Sequence, residues 1–192
     1  MMETEEFVIA RTRAWVNRAV IGLNLCPFAK GPQSKGQVRY VVCPATDPEG
    51  LLVVLREELR RLAEASSDRV ETALLIHPYV LNDFADYNDF LDVAEAAVQE
   101  LDLEGVLQVA SFHPQYQFSG SAPGDPGNAT NRSPYPTLHL IREESIDRAV
   151  EAFPDAAAIF DDNIATMERL GASGWAALVE QCRADAAGKK LE

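Results

Sequence analysis

A chain of 192 residues with 47% hydrophobic content is long enough for one domain with a real core. Its net charge of −13 excludes non-specific binding to nucleic acid or to an anionic membrane, because both need basic surface. No apolar run approaches the roughly 20 residues that span a bilayer, MMETEEF has no secretion-signal pattern, and the three scattered cysteines include no CxxC pair, so a cytoplasmic, reducing setting is expected.

Residues 4–25 read as a helix, with Glu5 and Glu6 in its first turn and Val8, Thr12, Trp15, Ala19 and Leu23 on one face. Pro27 stops it, and residues 29–36, rich in Gly, Pro and Lys, read as a loop. Val38–Cys43 is a short β-branched strand. Thr46-Asp47-Pro48-Glu49 has the form of a capping box, opening a helix with the stripe Leu52, Leu55, Leu59 and Leu62. Thr72–Ile76 is nearly all apolar, as suits a strand covered on both faces. Asn82 is expected to cap a third helix, where Phe84, Tyr87, Leu91, Ala94, Val98 and Leu101 recur at steps of three and four.

Val106–Phe112 and Thr137–Arg142 read as the third and fourth strands. Ser145 caps a short helix carrying Ile146, Ala149, Val150 and Phe153, which Pro154 breaks. Asp155 opens another, ended by Gly171, and Ser173 caps the last. The order α-β-α-β-α-β-β-α-α-α gives an α/β (α+β) class: a four-stranded mixed sheet covered by helices. It forms a single domain over residues 1–188, with a core at 4–153, C-terminal helices at 155–187 and a frayed tail at 189–192. Strands one to three, joined by helical crossovers, should be parallel. The fourth should return antiparallel beside the third, with a split βαβ order as the alternative.

The stretch Ser111–Arg142 contains only three charged residues, Asp125, Arg132 and Arg142, yet is rich in His, Asn, Gln and Tyr. Such a loop reads as a site more than as a solvated connector. His77-Pro78 and His113-Pro114 close the second and third strands, at the end where open α/β sheets bind ligands. His139 is the third residue of the fourth strand, so all three histidines are expected at one edge of the sheet. His113 there suits a general acid/base or a metal ligand; the alternative is a strand-end histidine bonded to a loop carbonyl. His139 is a candidate partner or a buried structural histidine.

Cys26 follows a helix C-terminus, where the dipole does not lower a thiol pKa, so it is a nucleophile only with His113 or Lys30 beside it; otherwise it is an inert wall. Asn131-Arg132-Ser133 offers a guanidinium fork with two short polar side chains, suited to a carboxylate or phosphate, or else pins for the loop itself. GxGxxG, Walker A, GxSxG and HExxH are absent, so no nucleotide cofactor is indicated.

The blocks NLCPF, SFHPQYQF and NRSPYPTLHLIRE make the chain resemble, over nearly its whole length, a bacterial family known as domain of unknown function 1415. The resemblance implies a compact cytosolic protein and brings no catalytic residues with it. The polar positions inside the blocks are Asn24, Cys26, His113, Gln115, Tyr116, Asn131, Arg132, Ser133 and His139.

Three functions are therefore expected to compete. The first is an enzyme for a small anionic metabolite: His113 is the acid/base, His139 its partner, Cys26 a wall or nucleophile, Arg132, Asn131 and Ser133 the anion anchor, and Gln115 and Tyr116 the lining. The second is a Zn²⁺ or Fe²⁺ site on His77, His113 and His139 with one open position. The third is a module without chemistry whose 113–136 loop projects outward as a recognition surface, with Phe118 and Tyr135 exposed.

Overall fold

The computed structural model describes residues 3–152 and 158–188. Helix α1 (Glu5–Trp15) opens at Thr4, whose hydroxyl accepts the Phe7 N–H at 3.2 Å. It continues into a π-helical segment, Val16–Ile21, that periodicity alone does not reveal. The wide turn closes with Gly22 N–H on Asn17 O at 3.0 Å. A Cβ at Gly22 would lie 2.3 Å from the Arg18 carbonyl oxygen, so only glycine lets the chain pass this closely. Asn24, at φ 56°, then turns the chain and delivers Cys26 against the sheet.

Residues 30–34, expected as loop, form the five-residue helix α2 (Lys30–Ser34). Strand β1 (Val38–Val42) leads to α3 (Pro48–Glu64). The cap of α3 is Asp47 rather than Thr46, its carboxylate accepting the Gly50 N–H at 2.8 Å. After β2 (Thr72–Ile76), α4 (Phe84–Glu100) is capped by Asp83 rather than Asn82, with N–H groups of Ala85 and Asp86 on one carboxylate oxygen. In both cases the ionised side chain is the stronger acceptor at a helix start.

Strand β3 (Leu107–Phe112) and strand β4 (Thr137–Arg142) flank a long loop that includes a 3-10 turn, Pro126–Asn131. Helix α5 (Glu143–Ala152) follows β4 at once. Helix α6 (Ala158–Ala186) is interrupted at Gly171, whose φ of 65° separates its two halves where two helices were expected. The expectations for Phe153, Pro154, Asp155 and the tail at 189–192 fall outside the described residues.

The sheet is mixed, in the order β1-β2-β4-β3. β1 and β2 are parallel, and β4 runs antiparallel to both β2 and β3. The first three strands thus point one way, as their crossovers require, and β4 fills the slot that α4 leaves between β2 and β3. This is the split arrangement. It places Leu74 and Ala110 on either side of His139, in the middle of the sheet.

Side chains alternate between two faces. One face, with Ala73, Leu75, Leu138 and Leu140, packs on α3 and α4 through Leu51, Leu55, Leu59 and Tyr87. Each fully buried leucine here contributes roughly 1.5–3 kcal/mol. The other face, with Leu74, Ile76 and Phe112, packs on α1, the π segment and α6 through Val8, Trp15 and Leu178. Arg142 ties the far end of β4 to α3, donating to the carbonyls of Leu62, Ala65 and Val70.

Candidate functional site

The three histidines do not meet. His77 and His113 lie on the α4 face and His139 on the other, with the sheet between them. A three-histidine metal set therefore cannot form. The expectation failed because it placed residues by strand end, whereas the alternation of side chains decides the face.

On the α4 face Tyr87 organises everything. Its ring stacks on His77 at 5.7 Å between centroids and leans on His113 at 5.0 Å. Its hydroxyl accepts the Phe112 N–H at 3.1 Å and donates to Thr137 O at 2.9 Å, closing the last rung between β3 and β4. His113 is 0% exposed. Its Nδ1 accepts the Gln115 N–H at 3.0 Å, so Nε2 carries the proton and donates to Leu81 O at 3.2 Å. Both ring nitrogens are occupied, and burial holds the pKa below the usual histidine range.

His77 is buried as well. Its Nδ1 donates to Val80 O at 3.0 Å, and burial pushes its pKa down to about 4. Its Nε2 has no hydrogen-bond partner among the described residues. Neither imidazole reaches solvent. Tyr116 leans at a tilt on Phe84 near the start of α4, with 5.2 Å between ring centroids, and Gln115 is exposed.

The long loop folds onto the body and does not project. Asn128, fully buried, is its hub: the carbonyl oxygen accepts from Phe118 N–H (2.9 Å) and Ser121 Oγ (2.7 Å), and the amide donates to Ala122 O (2.8 Å). Arg132 donates to the carbonyls of Tyr116 (3.2 Å) and Pro123 (2.9 Å), Asn131 to Ser111 O (3.2 Å), and Ser133 to Tyr135 O (2.6 Å). The supposed anion anchor is thus directed at the loop's own backbone. An uncharged loop of this length needs such pins, because its carbonyls would otherwise be buried unpaired. Tyr135 is buried and bonded to Glu3, and Phe118 packs edge-on against Phe160 of α6.

The opposite face has a hollow of about 350 Å³ between the sheet, the π segment and α5. Trp15, Val20, Phe112 and Ile146 make its walls predominantly apolar. Cys26 and His139 both open into it, so two of the expected catalytic residues do share a space. Helix α5 roofs the hollow with Ile146, Ala149 and Val150 and contributes no buried residue of its own. The polar corner of the hollow holds Ser145, which donates to Glu71 at 2.5 Å, with Arg148 on the same carboxylate oxygen at 3.3 Å.

The tautomer of His139 follows from one hydroxyl. Thr72 Oγ1 has a single proton and lies 2.6 Å from Leu140 O, which can only accept. The 2.7 Å contact between Thr72 Oγ1 and His139 Nε2 must then be an imidazole N–H donating to the hydroxyl. Nδ1 is left as a bare lone pair with no protein partner among the described residues, on a half-buried ring at the wall of the hollow. Burial holds the ring neutral, with its pKa pushed down to about 4.

Cys26 is free, and its thiol pKa is raised. Burial dominates over the backbone N–H groups of Phe28 and Ala29, which pull the other way. Thr72 and Trp15 are parts of this site that composition and periodicity do not flag: one begins an apolar strand, the other sits in a helix's core stripe. No helix among the described residues is long and apolar enough to cross a membrane.

A family model described as a protein of unknown function (DUF1415) matches residues 7–177. Neither the curated proteins nor the solved structures contain a match to the chain.

Proposed function

The chain belongs to the DUF1415 family, whose function is unknown, and we propose that it binds a small, predominantly apolar molecule carrying one hydrogen-bond donor. The ligand occupies the hollow under α5, and its donor meets Nδ1 of His139. One observation carries this reading: a neutral imidazole with an unused acceptor in an otherwise apolar space of about 350 Å³. Such a space is within the range of small-molecule sites, which are apolar walls with a few placed polar groups. The three free cysteines fit a cytoplasmic, reducing setting.

A matched pair of probes tests it. 4-Ethylphenol should bind about tenfold more tightly than 4-ethyltoluene, the value of one hydrogen bond to an acceptor that has no protein partner. The advantage should vanish in His139→Leu. Equal affinity for both probes in the unmodified protein, or no binding of either, would overturn the reading.

Cys26, which lines the same hollow, favours a second reading, in which the hollow is a reaction chamber. His139 Nδ1 would take the thiol proton as sulfur attacks the carbonyl carbon of an activated acyl ligand. The bond to the leaving thiolate breaks, that thiolate takes the proton from Nδ1, and water then hydrolyses the acyl-cysteine. The raised thiol pKa means that no thiolate stands ready at neutral pH, so the ligand itself must trigger the transfer. Cys26→Ser separates the readings: it leaves binding of the phenol intact in both and abolishes turnover of an activated thioester only in the second.

A further inference from the structure

β3 is an edge strand with one side unpartnered. The hydrogen bonds fix which of its groups face outward. Tyr87 bridges Phe112 N–H to Thr137 O, so Phe112, Ala110 and Gln108 direct their backbone groups toward β4. Leu107, Val109 and Ser111 therefore face away. Asn131 takes up Ser111 O at 3.2 Å, and the Leu107 N–H closes the preceding turn on Leu103 O at 3.0 Å. Leu107 O, both backbone groups of Val109 and the Ser111 N–H remain without a hydrogen-bond partner among the described residues. Proteins usually blunt such an edge with lysine, proline, a bulge or a cover, and the strand LQVASF carries neither charge nor proline.

Beside this edge runs a groove of about 510 Å³ between β3 and α4. Asp92, Glu95, Glu104 and Glu143 line it, and none of the four has an ion-pair partner among the described residues. A second copy of the chain would bring the same carboxylates, and a net charge of −13, against them. We propose that the β3 edge takes up an extended segment of a basic partner protein as a fifth strand. Its backbone pairs with Val109, and its lysine or arginine side chains, at alternate positions, meet the four carboxylates.

The test is calorimetric titration of the full chain with an alternating Val-Lys octapeptide and with the same peptide N-methylated at alternate amides. The unmethylated peptide should bind, and methylation should weaken it at least about tenfold, because each lost backbone bond removes on the order of that factor. Val109→Pro should cause a similar loss, since the outward N–H is absent from the β4 ladder and proline is tolerated there. A Val-Glu octapeptide should not bind. Equal affinity of the methylated and unmethylated peptides would mean that charge alone is recognised, and would overturn strand addition. Self-association of the chain that Val109→Pro abolishes would make a second copy the occupant and also overturn the proposal. The methylated peptide needs no protein variant, so the test stands even where Val109→Pro fails to fold.

Discussion

The two faces of the sheet hold imidazoles under opposite conditions. On the α4 face His113 has both nitrogens bonded to backbone and no exposed surface, and Tyr87 seals the space around it. On the α1 face His139 has one nitrogen bonded and the other open to a hollow. Both rings are kept neutral by burial. The difference lies in whether neighbours use up the ring's hydrogen-bonding capacity.

The largest expected effect is on the sealed face. His113→Ala leaves Leu81 O and the Gln115 N–H unpaired and opens a cavity, so stability should drop by about 4 kcal/mol while phenol binding by the folded fraction is unchanged. Urea denaturation measures it. A loss below about 1 kcal/mol would break the contrast.

Acid should come next. The folded pKa of His139 lies near 4, below the ordinary value of 6.5, so the unfolded chain takes up a proton that the folded chain refuses. The stabilising contribution is complete above pH 6.5 and is lost as pH falls from 6.5 toward 4, amounting to roughly 3 kcal/mol. Wild type should therefore lose about that much more stability over this interval than His139→Leu does. His77, with a pKa also near 4, adds a loss that both proteins share. Identical pH slopes for the two proteins would mean that His139 is solvated.

Gly22→Ala probes the entrance to the open face. The added methyl would collide with the Arg18 carbonyl, so a loss of about 2 kcal/mol is expected, with weaker phenol binding as the π segment and Cys26 shift. Melting temperature and titration report the two effects. The smallest effect concerns the thiol: iodoacetamide should modify Cys26 about tenfold more slowly than a free cysteine at neutral pH, and more slowly again with 4-ethylphenol bound. Modification at the free-thiol rate would place Cys26 outside the hollow.

The sequence showed the elements well because their signals are local. Thr72–Ile76 and Thr137–Arg142 have the bounds that β-branched and apolar runs suggest, and the three-and-four spacing in α4 marks its core face. The π segment was not legible, since Val16–Ile21 carries the same apolar residues an α-helix would. Its one trace is Gly22, whose need appears only when Arg18 O is in place.

The site was half legible. Cys26 and His139 stood out by residue type, and they do share a space. Their separation from His77 and His113 depends on which face each strand residue takes, and strand ends alone do not show that. Arg132, Asn131 and Ser133 read as an anion anchor, with loop pins as the alternative, and it is the alternative that their backbone-carbonyl partners match.

The imidazole ¹⁵N shifts of His139, recorded with and without 4-ethylphenol, test the open acceptor most directly. The expected result is a proton on Nε2, a lone pair on Nδ1 that persists down to about pH 5, and a Nδ1 resonance that moves when the phenol binds. A proton on Nδ1, or a Nδ1 resonance unmoved at saturating phenol, would contradict it.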